Sequence, residues 1–77
     1  RAMIFATKTC PNCRIAYGYL DKAGVSYEKL MADENADLVK EYGITQAPTL
    51  VIKNGSDVNK YTGAGEIRKF LMEKEVR

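Results

Sequence analysis

Residues 2–13 read AMIFATKTCPNC, a short apolar run followed by the only two cysteines of the 77-residue chain. The run over residues 2–6 predicts a buried first strand. Pro11 suits the first position of a helix because its missing N–H would be unpaired there. The stretch therefore predicts a strand that leads into a helix whose start carries both Cys10 and Cys13.

The first helix is expected to end at Gly24, a residue type that commonly closes helices. It presents one modest face of small and apolar side chains to the core. The members of this face are Ala16, Leu20 and Ala23, with Ile15 and Tyr19 beside them.

The next segment predicts a second strand and a second helix. Residues 25–30 alternate between apolar and polar for most of their length, as a half-buried strand does. Asp33 and Asn35 are candidate N-caps of a short helix, and Gly43 closes it.

The last third of the chain predicts a hairpin and a terminal helix. Residues 49–53 are a continuous apolar run, and Asn54-Gly55 separates them from a second strand over residues 57–62, a strong hairpin signal. The terminal helix carries Ile67, Phe70 and Leu71 at helical spacing. We expect one α/β domain over residues 1–77 in the order β-α-β-α-β-β-α, with a four-stranded mixed sheet and three helices.

Composition narrows the functional classes. Twelve basic and ten acidic residues are scattered along the chain and leave a net charge of +2, so nucleic acid is not an expected partner. No apolar run approaches the roughly 18 to 20 residues of a membrane span, and no secretion signal is visible. We expect a monomeric cytoplasmic protein without a membrane partner. The start at Arg1, without methionine, favours a domain excised from a longer polypeptide.

Three roles compete for the cysteine pair. A disulfide that closes so small a ring would remove on the order of 2 kcal/mol of unfolded-chain entropy, against about 3 for a fifteen-residue loop, so a stabilising role is disfavoured. Structural zinc usually takes four Cys or His ligands, whereas this chain has two cysteines and no histidine, so no metal is expected. A redox couple needs nothing more than the two thiols.

The predicted helix start makes the two thiols unequal. As the N-cap residue, Cys10 faces unpaired N–H groups of the first turn, roughly those of Asn12 and Cys13, which stabilise a nearby anion by about 0.3 to 1 kcal/mol. Lys8 adds positive charge. We expect Cys10 to attack a substrate disulfide and Cys13, one turn on and further from solvent, to resolve the mixed disulfide.

Pro48 precedes the apolar third strand. A proline there is more often a simple strand-entry residue. However, Ala47-Pro48 lies 35 residues after Cys13 and ahead of an apolar strand, and this arrangement resembles the cis-proline loop that faces the thiols in thioredoxin-like proteins.

The resemblance extends along nearly the whole chain. Residues 42–55, YGITQAPTLVIKNG, are similar to thioredoxin around its cis proline, whereas residues 7–13 resemble glutaredoxin. The chain is identified as a member of the thioredoxin/glutaredoxin superfamily. The resemblance implies a thioredoxin fold and a thiol-disulfide oxidoreductase that reduces protein disulfides. It implies substrate contacts at Lys8, Pro11, Asn12, Ala47 and Pro48.

The glutaredoxin pattern is only partly kept. Glutaredoxins usually carry an aromatic residue where Asn12 stands, and an aspartate that meets the amine of glutathione where Gly65 aligns, with Glu66 next to it. The candidate glutathione site therefore consists of Lys8, Ala47, Gly65 and Glu66.

Thioredoxins carry a tryptophan and a buried carboxylate near the motif, and neither feature is present. Redoxins that resemble glutaredoxins but accept electrons from thioredoxin reductase, and pass them to ribonucleotide reductase, combine such features. The resemblance thus implies a thioredoxin-reductase-like enzyme or glutathione as reductant, with ribonucleotide reductase as an expected acceptor and no cofactor required.

Two other functional classes remain open. One is a glutathione-dependent glutaredoxin or a module in which Cys10 residues from two chains bind an iron-sulfur cluster. The other is a non-catalytic docking domain. Tyr17 and Tyr19 are interpreted as packing residues and stay outside the predicted site.

Overall fold

The predicted order of elements is present in the computed structural model, which describes residues 1–75. A 3-10 turn that was not predicted precedes the predicted short helix between the second and third strands. The elements are β1 (Ala2–Ala6), α1 (Pro11–Lys22), β2 (Glu28–Met31), a 3-10 turn (Ala32–Glu34), α2 (Ala36–Glu41), β3 (Thr49–Asn54), β4 (Asp57–Thr62) and α3 (Ala64–Glu75).

The four strands form one mixed sheet in the order β2-β1-β3-β4. β1 pairs in parallel with β2 and antiparallel with β3, and β3 pairs antiparallel with β4. Phe5 thus lies between Leu30 and Thr49. Because β1 is central and ends at Ala6, the loop that follows it places Cys10 and the start of α1 at the end of the sheet where β1 stops.

Helices cover both faces of the sheet, which explains why β1 is apolar throughout. Ile4 and Leu50 face α1 and α3, whereas Phe5 and Val51 face α2. The α1/α3 side is completed by Ala16, Leu20, Ile67 and Leu71. Each fully buried aliphatic or aromatic side chain contributes about 1.5 to 3 kcal/mol. Ile15 is 46% exposed, so it adds little to the core face of α1.

The C-terminus of α1 explains why β2 is shorter than predicted. Gly24 has φ 71° and follows the helix, and the N–H of Val25 donates to the carbonyl of Leu20 at 3.1 Å. These contacts form a Schellman motif that uses the Val25 amide to close the helix. The prediction of a strand from residue 25 was therefore wrong, and β2 begins at Glu28.

The start of α2 also differs from the prediction. Asn35 is its N-cap residue by position, but its side chain makes no capping bond and its amide Nδ2 donates to the carbonyl of Met31 at 2.8 Å. Asp33 lies within the 3-10 turn. Asn35 is thus confirmed as the N-cap residue, although its side chain does not cap the helix, whereas the prediction for Asp33 was wrong because Asp33 lies within the 3-10 turn.

The hairpin is confirmed, with its loop one residue further along. Asn54 pairs with Asp57, so the two loop residues are Gly55 and Ser56. Gly55 has φ 61°, the left-handed conformation that the first loop position of a type II′ turn requires.

The longest described helices, α1 and α3, have 12 residues each. Within residues 1–75, no helix is long and apolar enough to cross a membrane.

Candidate functional site

Cys10 occupies the N-cap position of α1. Its backbone is extended, with φ −117° and ψ 101°, and Pro11 follows as the first helical residue. The N–H of Cys13 donates to the Sγ of Cys10 at 3.2 Å and also lies 3.1 Å from its carbonyl oxygen. The helix start thus directs a backbone donor at the sulfur.

Cys13 is in a different environment. Both cysteines are free thiols, but Cys10 is half-buried whereas Cys13 is only 1% exposed. Burial raises the pKa of the Cys13 thiol to about 11, and the hydrogen bond and charge of Cys10 act in the same direction. A backbone hydrogen bond from Thr7 opposes this shift. Cys13 therefore stays protonated at neutral pH as long as Cys10 is not bonded to a substrate sulfur.

The proline loop faces Cys10. The Sγ of Cys10 lies 3.8 Å from the carbonyl oxygen of Ala47, within reach of a hydrogen bond from the thiol. The Ala47–Pro48 peptide bond is cis, and Pro48 is almost fully buried. The Thr49 hydroxyl donates to the carbonyl of Gln46 at 2.6 Å, which ties the two sides of the loop together.

The start of α3 adjoins the proline loop. The N–H of Gly63 donates to the carbonyl of Pro48 at 2.8 Å, and Gly63 has φ 88°. The carboxylate of Glu66 accepts from the N–H of Thr62 at 3.1 Å, so it supports the entry to α3. Gly65 lies beside it in the first turn, with open space where a side chain would begin.

The other predicted contact residues lie around Cys10 on the surface. Lys8 is exposed in the loop between β1 and α1, and Pro11 and Asn12 are exposed in the first turn of α1. The structure thus places the cysteine pair, the proline loop and the start of α3 at the same end of the molecule.

Tyr17 belongs near this site, although the sequence reasoning left it out. It lies on α1 four residues after Cys13 and is half-buried. Burial raises its pKa, and the charges of Cys13 and Cys10 act in the same direction. The signal in the sequence was the four-residue spacing, which puts two side chains on one helix face.

Two further observations bound the site. A cavity of about 220 Å³ between α1 and α3 is lined by Tyr19, Ala23 and Leu71, among others, and includes neither cysteine. Within the described part of the chain, no group of three or more His, Cys, Asp or Glu residues is placed to hold a metal ion.

Solved thioredoxins share this architecture. Thioredoxin from Trypanosoma brucei brucei superposes with a TM-score of 0.76 at 23% identity, over 99% of this chain and 74% of that one. Mitochondrial thioredoxin 3 from Saccharomyces cerevisiae gives a TM-score of 0.75 at 26% identity, over 97% and 74% of the two chains. The thioredoxin fold predicted from the sequence is confirmed.

Sequence comparisons identify the family. Thioredoxin H2 from Arabidopsis thaliana is 33% identical over 78 aligned residues, which cover 94% of this chain and 56% of that protein, so the chain spans little more than half of this relative. A family model described as Glutaredoxin matches residues 2–58, from β1 to the start of β4, and includes both cysteines and Pro48. The chain belongs to the glutaredoxin family, within the thioredoxin/glutaredoxin superfamily.

Proposed function

We propose that this protein reduces protein disulfides by a two-cysteine mechanism in which Cys10 attacks and Cys13 resolves. The observation that carries the proposal is the contrast between the two thiols. Cys10 is half-buried at a helix start, whereas Cys13 is 1% exposed with its pKa raised by burial. The thiolate is the nucleophile in disulfide exchange, so the accessible thiol beside the helix donors is suited to the first attack.

In the first step, the Cys10 thiolate attacks one sulfur of the substrate disulfide. A new S–S bond joins Cys10 to the substrate, the original S–S bond breaks, and the second substrate sulfur leaves as a thiolate. The N–H of Cys13, 3.2 Å from the Cys10 sulfur, stabilises the anion before the attack.

In the second step, Cys13 attacks the Sγ of Cys10, the S–S bond between Cys10 and the substrate breaks, and the first substrate sulfur leaves as a thiolate. Once Cys10 is bound to substrate it carries no charge, so one of the contributions that raise the pKa of Cys13 is removed while burial remains. The Cys13 proton passes to solvent or to the departing substrate thiolate. The substrate gains two electrons, and a Cys10–Cys13 disulfide remains.

The proline loop is the proposed docking surface for the substrate chain. The Ala47 carbonyl lies next to the Cys10 sulfur, and the bond from Gly63 to Pro48 fixes the loop in place. An extended substrate segment beside Ala47 would bring its disulfide onto Cys10, with the exposed Lys8 and Asn12 flanking it.

The reductant of the Cys10–Cys13 disulfide is proposed to be a thioredoxin-reductase-like enzyme or glutathione. The departures from the glutaredoxin pattern at Asn12 and Gly65 favour the enzyme. In addition, one oxygen of the Glu66 carboxylate already accepts a hydrogen bond from the N–H of Thr62, so its capacity to bind the amine of glutathione is reduced. Ribonucleotide reductase is the proposed acceptor, on the resemblance to redoxins that serve it.

Turnover of a protein disulfide tests this proposal. Insulin reduction is followed with thioredoxin reductase and NADPH, and separately with glutathione, glutathione reductase and NADPH. We expect Cys10→Ser to lose nearly all activity, whereas Ser56→Ala in the exposed hairpin loop keeps it. A fully active Cys10→Ser protein would refute the proposed function, and the arm that supports turnover identifies the reductant.

A further inference from the structure

Three side chains, from α1, from the loop before β2 and from β2, form a stack around Tyr17. The rings of Tyr17 and Tyr27 are nearly parallel, at 9°, with centroids 6.3 Å apart. The ammonium Nζ of Lys29 lies 4.1 Å from the centroid of the Tyr17 ring. The hydroxyl of Tyr27 donates to the carboxylate of Asp21 at 2.9 Å, which anchors the second ring to α1.

This stack restrains Tyr17 through two contacts, the ring of Tyr27 and the ammonium of Lys29. A cation over an aromatic face contributes about 0.5 to 1 kcal/mol at an exposed site, and an aromatic pair contributes about 0.5 to 1.5 kcal/mol beyond its buried area. Tyr17 also packs against the core cluster formed by α1, α3 and the sheet. Its ring therefore has little freedom to leave its position.

The position of Tyr17 on α1 directs it toward Cys13. Long side chains in a helix lean toward the N-terminus and cover the turn before their own. The side chain of Tyr17 thus covers the turn that contains Cys13, four residues earlier. The thiol charges that act on the Tyr17 phenol agree with this placement, Cys13 more strongly than Cys10.

We propose that Tyr17 is a positioning residue of the redox centre, whose ring, held by Tyr27 and Lys29, shields the Cys13 thiol from external reagents. The inference rests on the proposed two-cysteine function and deepens it. A shielded Cys13 is confined to one reaction, the attack on the sulfur of Cys10, and is protected from alkylating or oxidising molecules in solution.

The test measures access to Cys13 in a Cys10→Ser background, where Cys13 is the only thiol of the chain. Alkylation by iodoacetamide is followed by mass spectrometry, with folding monitored by circular dichroism. We expect Tyr17→Ala to raise the alkylation rate by about tenfold or more, because it opens the covered turn. Tyr17→Phe keeps the ring and the cation contact, so it should stay within about twofold of the parent.

Tyr19→Ala is the matched control, since Tyr19 is also half-buried on α1 but lines the cavity between α1 and α3. Its rate should stay within about twofold of the parent if loss of a tyrosine does not by itself expose the thiol. The proposal is overturned if Tyr17→Ala leaves the rate unchanged, or if Tyr19→Ala raises it as much.

A second variant covers the case in which Tyr17→Ala does not fold. Tyr17→Leu keeps an apolar side chain against the core but lacks the ring that Lys29 contacts, and it should also raise the rate. Its pH profile should shift, with half-maximal alkylation at a lower pH than in the parent, because burial is what raises the pKa of Cys13. An unshifted profile with an unchanged rate would overturn the proposal. None of these measurements involves substrate reduction. A result that overturns the shielding of Cys13 by Tyr17 is therefore distinguishable from one that overturns the proposed disulfide reduction.

Discussion

The carbonyl oxygen of Ala47 lies 3.8 Å from the Sγ of Cys10, although 37 residues separate the two along the chain. Three contacts produce this approach. The helix start fixes Cys10, the bond from Thr49 to Gln46 closes the proline loop, and Gly63 holds the Pro48 carbonyl. The reactive sulfur and the backbone proposed to bind substrate are therefore set side by side by the fold.

The reduced protein should react selectively with alkylating agents. Cys13 is 1% exposed and has a pKa raised to about 11, so at pH ~8 little of it is an accessible thiolate. We expect brief treatment with iodoacetamide to modify Cys10 and to leave Cys13 intact, as measured by peptide mass mapping. Equal labelling of both cysteines in the folded protein would contradict the assigned environments, and labelling in denaturant provides the control.

Alkaline pH should destabilise the fold through Cys13. Its pKa in the folded state is raised from 9.0 to about 11, so between these values the folded protein keeps a proton that the unfolded chain releases. The contribution is fully present below pH ~9 and is lost as the pH rises toward 11, by at most about 1.4 kcal/mol per pH unit.

Urea unfolding of the wild type and of Cys13→Ser at a series of pH values measures this effect. Burial also raises the pKa of Tyr17 and Tyr27, so both proteins should lose stability at the upper end of the range. The wild type should fall more steeply from pH ~9 upward. Parallel curves would show that Cys13 does not contribute.

Gly63 should be sensitive to substitution, and Gly18 should not. Gly63 has φ 88°, a conformation that costs a residue with a side chain about 1 to 2 kcal/mol, and its N–H holds the Pro48 carbonyl. Gly63→Ala should therefore lower the free energy of unfolding by about this amount and reduce disulfide reduction. Gly18 is exposed in the middle of α1 with open space around it, so Gly18→Ala should stabilise the protein by about 0.5 to 1 kcal/mol. Thermal or urea unfolding compares the two, and equal effects would contradict this account.

The Glu66 carboxylate should contribute to stability through its bond to the Thr62 N–H. Glu66→Ala should lower the free energy of unfolding by about 0.5 to 1.5 kcal/mol, whereas Glu66→Gln, which keeps an acceptor oxygen, should lose less. If Glu66 also binds the amine of glutathione, Glu66→Gln should raise the KM for glutathione while stability stays near that of the wild type. Equal stability of Glu66→Ala and the wild type would show that the bond contributes nothing.

Much of the fold was predictable because its signals are local. The apolar run of β1, the helix start at Pro11 and the turn at Gly55 each specify their own conformation. The start of β2 was not predicted, because the amide of Val25 could join either the strand or the end of α1. It donates to the carbonyl of Leu20, five residues earlier, and so closes the helix.

The candidate site likewise has one part that the sequence predicts and one part that only the folded structure reveals. The different environments of Cys10 and Cys13 were predictable, because the sequence indicates that a helix starts at Pro11. The placement of Tyr17 depends on Tyr27 and Lys29, which come from a loop and an edge strand that meet α1 only in the folded molecule. Tyrosine at a helix position is consistent with simple packing until those partners are known.

The identity of the attacking thiol is the central claim, and trapping the mixed disulfide tests it most directly. Cys13→Ser is incubated in its reduced form with a protein disulfide substrate, the products are digested without reductant, and the linked peptides are identified by mass spectrometry. The account predicts a stable adduct in which the substrate sulfur is bonded to Cys10, with Cys10→Ser giving no such adduct through Cys13. An adduct on Cys13 in Cys10→Ser that forms as fast, or the absence of any adduct on Cys10, would contradict it.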